Sequence, residues 1–144
     1  MFYSCSLHIA LLCLSSNSNQ SSWRIENNLS LVNPKPNIKT QQLGVIKTAN
    51  GQVAFYVTTQ FETVQAAIVL HGHSWVCFYD VQRRLVARYE VGSPDELPIK
   101  LVRNTLYFSY YDKNKLKKTF TQSVNAKLPD ALCVAPDDCY TRKK

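Results

Sequence analysis

The stretch AAIVLHGHSWVCFYD, residues 66–80, holds two of the chain's three histidines, one of its two tryptophans and a cysteine. On an extended strand alternate side chains share a face, so His71 and His73 would project together, as an H-x-H metal pair requires. A tight site wants a third or fourth ligand. Cys77 shares the histidines' parity; Asp80 does not, unless a bulge at Gly72 resets the strand. The third histidine, His8, lies in a segment read below as an export signal, and no downstream glutamate and histidine complete a catalytic centre. The expectation is therefore a strand on which Trp75 and Tyr79 form an aromatic row beside the imidazoles. A metal held by His71 and His73, and with it a metal-dependent enzyme, is the alternative. No cofactor and no catalytic set are expected.

The run AIVLHG also resembles the oxyanion-hole segment of α/β-hydrolases, which implies backbone amides after His71 and Gly72 that would steady a tetrahedral oxyanion. Those enzymes also need a G-x-S-x-G nucleophile elbow and helices around a parallel sheet. Gly44, Gly51, Gly72 and Gly92, the only glycines, form no elbow.

The other chemistry-bearing residues are cations. The chain carries 17 Lys and Arg against 10 Asp and Glu, a formal charge of +7. QRRLVAR supplies Arg83, Arg84 and Arg88, and DKNKLKK supplies Lys113, Lys115, Lys117 and Lys118. If these two turns share one rim of a sheet, they form a single basic edge that attracts polyanions with a salt-sensitive affinity. With Trp75 and Tyr79 they are the expected binding residues. For an exported protein the partner would be an acidic polymer, a lipid head group or a protein of the cell envelope. For an intracellular one it would be nucleic acid.

Location rests on the first residues and on cysteine. Residues 1–22 carry no charged side chain, and LHIALLCL, residues 7–14, followed by SSNSNQSS reads as a secretory signal, although no Lys or Arg precedes it. The run is too short for a transmembrane span. Cys5 and Cys13 would leave with the signal. Cys133 and Cys139 flank a loop with Pro136, Asp137 and Asp138 that a disulfide can close, as an oxidising compartment allows. Cys77, between Val76 and Phe78, reads as a small buried hydrophobe. A secreted or periplasmic protein is expected, with the cytoplasm as the alternative.

The elements that must position these groups are strands. ANG between LGVIKT and QVAFYVTT is a hairpin signal, and Asn50 and Gly51 tolerate the positive φ of a type I′ turn. In LVARYEV, Leu85, Ala87, Tyr89 and Val91 alternate with Arg88 and Glu90. FYDVQRRLVARY and YYDKNKLKKTF align as strand, basic turn and strand. The predicted fold is all-β, an antiparallel meander of seven or eight short strands closing as a small barrel or sandwich. The expected organisation is a signal over residues 1–22, an arm over 23–42, a β domain over 43–127 and an irregular tail over 128–144 with its cysteine loop. The expected function is an exported binding or accessory module, with a polyanion-binding barrel and a metal-dependent enzyme as alternatives.

Overall fold

The structure is a computed structural model that describes residues 36–66 and 69–143. The expected export signal, its two cysteines and His8, and residues 23–35 of the arm lie outside the described residues. Among the described residues, nine antiparallel strands follow in order: β1 (Asn37–Lys47), β2 (Val53–Ala66), β3 (Val69–Tyr79), β4 (Leu85–Val91), β5 (Lys100–Val102), β6 (Thr105–Tyr111), β7 (Lys117–Ser123), β8 (Ala131–Ala135) and β9 (Asp138–Lys143). A 3-10 turn, Pro94–Glu96, stands between β4 and β5. The strands form a six-stranded sheet, β1-β2-β3-β4-β9-β8, and a three-stranded sheet, β5-β6-β7.

The expected all-β fold is what forms, and its alternation sets the core. Ala87, Tyr89 and Val91 of β4 point inward with Val76 and Phe78 of β3, and meet Leu106 and Phe108 of β6 and Leu132 and Val134 of β8. Arg88 points outward, as period-two alternation demands. The sheets are joined at both seams by side-chain amides that stand in for missing ladder bonds. Asn104, after β5, accepts from the Lys47 amide at 2.8 Å and donates to the Lys47 carbonyl at 2.6 Å. On the other side the Cys133 amide donates to Gln122 Oε1 at 2.6 Å, and Gln122 Nε2 donates to the Ala131 carbonyl at 3.4 Å. A primary amide presents one acceptor and two donors, so it can imitate a peptide group where two strands splay.

Two expectations are corrected. The segment after residue 128 is not an irregular tail: β8 and β9 form a hairpin, and β9 pairs with β4 through Arg88 with Lys143 and Tyr89 with Arg142. Pro129 and Pro136 punctuate it locally, but its pairing partner lies some fifty positions upstream, a non-local contact no local pattern reveals. β9 therefore sits between β4 and β8, so the topology is a meander with one insertion. The arm also enters the sheet earlier than expected, because β1 starts at Asn37.

The turn chemistry differs from the type I′ expectation as well. Three hairpins share one loop, in which the fourth residue donates its amide to the first carbonyl and the first amide donates to the fifth carbonyl: Thr48 to Gln52, Asp80 to Arg84, and Asp112 to Leu116. Only the fourth residue is left-handed: Gly51 at φ 82°, Arg83 at 63° and Lys115 at 59°. This is a type I turn closed by a left-handed bulge residue, whose twist suits antiparallel strands. The similarity between FYDVQRR and YYDKNKL is this shared geometry, with Asp80 and Asp112 both accepting from loop amides.

Candidate functional site

On the outward face of β2-β3-β4, His73, Trp75, Cys77 and Tyr79 form a row along β3. His73 lies opposite Glu62 of β2, and its Nδ1 is 2.5 Å from Glu90 Oε1 of β4. The β2-β3 register runs through Gly72 without a shift, so no bulge turns Asp80 toward the histidines. Gly72 has a different reason: an added Cβ would stand 2.9 Å from the Phe61 ring. Among the described residues, no three or more His, Cys, Asp or Glu are arranged to hold a metal ion. Cys77 is buried, and burial raises its thiol pKa to about 11, which keeps it protonated and poor as a ligand or nucleophile.

Trp75 is not an open platform. It is only 9% exposed, with the His73 ring stacked on it at 6.1 Å and the Arg88 guanidinium over its face at 4.4 Å. Tyr79 accepts from Gln60 Nε2 at 2.9 Å. The aromatic row and Arg88 thus hold one another, with the cation already on the ring, although the buried Trp75 Nε1 and Thr58 Oγ1 find no hydrogen-bond partner among the described residues.

The two basic turns do not share a rim. The turn at 80–84 precedes β4, whereas the turn at 112–116 lies beside the β8-β9 turn, with Asp112 and Lys113 facing Ala135, Pro136, Asp137 and Asp138 across one cleft. β9 runs antiparallel to β4, and Tyr140 reaches Glu96 just beyond the end of β4 at 2.6 Å. The length of β4, about 20 Å for seven residues, separates the two turns. The single edge expected from Arg83, Arg84 and Arg88 with Lys113, Lys115, Lys117 and Lys118 is therefore replaced by two unlike ends. Lys118 is also committed: Asp112 holds it at 2.8 Å, and that bond holds the Asp112 carboxyl below its usual range.

The end that carries the 80–84 turn gathers cations the sequence reading missed. Arg83 leans over the Tyr56 ring at 3.6 Å, which fixes the turn beside the 48–52 loop. Asn104 ties the turn between β5 and β6 to Lys47, and its backbone carbonyl accepts from Val124, which brings in the 124–130 loop. Lys47, Arg83, Arg84, Arg103 and Lys127 are all exposed there. Among the described residues, the carboxylates at this end are Asp80 and Asp130, each already bound by an arginine, Arg84 at 2.7 Å and Arg142 at 3.1 Å. Asp80 also accepts from the Arg84 amide, the main reason its pKa is lowered. No sequence signal marks this cluster, because Lys47, Arg103 and Lys127 stand singly in unrelated segments and only the packing of the two sheets assembles them.

The opposite end opens as a cleft of about 580 Å³ between the 3-10 turn, the ends of β6 and β7, and the β8-β9 hairpin. Leu97, Ile99, Tyr110 and Val134 line it with Asp95, Glu96, Asp138 and Lys117. Glu96 fastens one wall, accepting from the Gly92 amide at 2.9 Å and from Tyr140 Oη. Burial, and then this bond, push the Tyr140 hydroxyl pKa well above its ordinary value. The Cys133–Cys139 disulfide, with S–S 2.00 Å, closes the hairpin that forms the other wall. Comparison with models of protein families, with curated proteins and with solved structures found no match.

Proposed function

We propose that this chain is an exported β-barrel binding module that engages an acidic polymer or surface of the cell envelope through the basic end of its barrel. The observation that carries the reading is the convergence of separate loops to present Lys47, Arg83, Arg103 and Lys127, while the nearby carboxylates of the described residues, Asp80 and Asp130, are already taken by Arg84 and Arg142. Excess positive potential at one end favours a polyanion and speeds its encounter. Export is supported by the Cys133–Cys139 bond, since disulfides persist in oxidising compartments. It is supported too by the uncharged apolar segment at residues 7–14.

The nucleic-acid reading has less to stand on. Stacking of bases needs open aromatic faces: Tyr56, Trp75 and Tyr107 are each covered by a cation, Arg83, Arg88 and Lys100, and the exposed Tyr111 stands at the cleft end beside Asp112, Asp137 and Asp138. Nor do His71 and His73 acquire a third ligand for metal chemistry among the described residues. Fluorescence anisotropy with labelled dextran sulfate tests the reading. Binding should weaken by roughly tenfold or more between 50 and 200 mM salt, as release of counterions demands. Absence of binding at low salt would refute it, and an intact mass that retains residues 1–22 in the native host would remove the exported half.

A further inference from the structure

The basic end is not only charged. Val81 is 52% exposed, Leu85 49% and Val102 43%, and all three stand at or beside the turns that carry Arg83, Arg84 and Arg103. Apolar side chains at the crests of turns, set between cations, add nothing to a contact with a soluble polyanion, which is held by charge alone. At a bilayer interface both kinds of group are used: cations meet phosphate oxygens of anionic head groups, while valine and leucine enter the boundary with the acyl chains. The long stems of Arg and Lys let the charge remain at the head groups as the apolar residues sink.

The turns are also held in shape before any contact. Asp80 Oδ1 accepts from the Arg84 amide at 2.9 Å and its Oδ2 from Arg84 Nε at 2.7 Å, while Asn104 locks the neighbouring turn to β1. Little ordering is left for binding, so the modest apolar area is not spent on fixing loops. From these features we infer that the 80–85 turn and the 102–104 turn together dock the barrel end-on onto an anionic lipid surface. The inference rests on the polyanion reading above and narrows it to a membrane.

Co-sedimentation with vesicles of phosphatidylcholine alone, and of phosphatidylcholine with phosphatidylglycerol, tests it beside the dextran sulfate titration. The wild type should partition onto the anionic vesicles and not onto the neutral ones. Because Val81 and Leu85 are outside the core, the double variant Val81→Ser, Leu85→Ser should fold with an unchanged circular dichroism spectrum. It should lose about tenfold in vesicle partition, equivalent to about 1.4 kcal/mol, and keep its dextran sulfate affinity. Dextran sulfate binding without vesicle binding, equal vesicle partition by the serine variant, or tighter binding to a DNA duplex than to anionic vesicles would each overturn the membrane inference while leaving the polyanion reading standing. Failure to bind either vesicles or dextran sulfate would overturn both.

Discussion

Cys77 illustrates how a residue that looks reactive in a sequence becomes inert in a fold. Its thiol is buried on the outward face of β3, between Thr58 of β2 and Arg88 of β4, and burial outweighs the nearby guanidinium in raising its pKa to about 11. The native state thus favours the protonated form over the unfolded chain, where a cysteine titrates near about 8.5. The associated stability is present in full below that unfolded value and is lost as pH rises toward 11. A disulfide-exchange reagent at pH 8 should leave Cys77 of the folded protein almost unlabelled, as read by peptide mapping, and should modify it at once in denaturant. Rapid labelling of Cys77 in the native protein would contradict the burial.

Lys115 makes the opposite point, since its difficulty is conformational. It occupies the left-handed position of its turn at φ 59°, as Arg83 does in the loop of the same geometry, whereas the first hairpin places Gly51 there. A side chain in that region costs about 1 kcal/mol that glycine avoids. Lys115→Gly should therefore raise stability by about that amount in urea unfolding, and a loss would mean that the loop is not left-handed at this position. The preference for Asp at the loop's first position was readable from the sequence. The turn type was not, because Asn50 and Gly51 both tolerate positive φ and the choice between them falls to the ladder bonds.

Among the elements, the seams decide whether the two sheets act as one barrel. Asn104 both donates to and accepts from the Lys47 backbone, so Asn104→Ala would leave two peptide groups without partners where β1 and β5 part. Both bonds are exposed, so water replaces part of what is lost and the expected cost is about 1 kcal/mol, measured by chemical denaturation. The same variant should also weaken dextran sulfate binding, because it frees the turn that carries Arg103 from Lys47. A variant that is destabilised yet binds unchanged would show that the basic end does not depend on this seam. At the other wall, the disulfide closes a six-residue separation within the β8-β9 hairpin. Closing so short a loop contributes roughly 2 kcal/mol in the chain-entropy model. The alternation in β4, the first hairpin and the cysteine pair could be read from residue order, since each is a local pattern. The place of β9 in the large sheet could not, because its second partner, β4, lies some fifty positions upstream.

At the scale of the β domain, the main consequence of packing the two sheets together is an electrical difference between its two ends. The sequence reading located cations in the right turns but joined turns that the fold keeps apart, because a meander with one inserted strand and two sheets does not bring every second turn together. At the cleft end Asp112 pairs with Lys118, Lys117 shares a cleft with Asp95, Glu96 and Asp138, and Lys113 shares one with Asp137 and Asp138, so cations and carboxylates are mixed there. Lys47, Arg83, Arg103 and Lys127 have no such answer at the other end, since Asp80 and Asp130 are held by Arg84 and Arg142. Charge count alone treats the two groups alike; only their placement distinguishes them.

The decisive measurement is therefore a comparison of two charge-reversed proteins of equal net charge, Arg83→Glu with Arg103→Glu at the basic end, and Lys113→Glu with Lys115→Glu at the cleft end. Each is titrated against labelled dextran sulfate at 50 mM salt, with the folded state checked by circular dichroism. The first pair should lower affinity by at least about tenfold beyond the second, because only those cations face the ligand. Equal losses from both pairs would mean that net charge alone draws the polyanion, and a larger loss from the cleft-end pair would place the binding surface on the wrong end of the barrel.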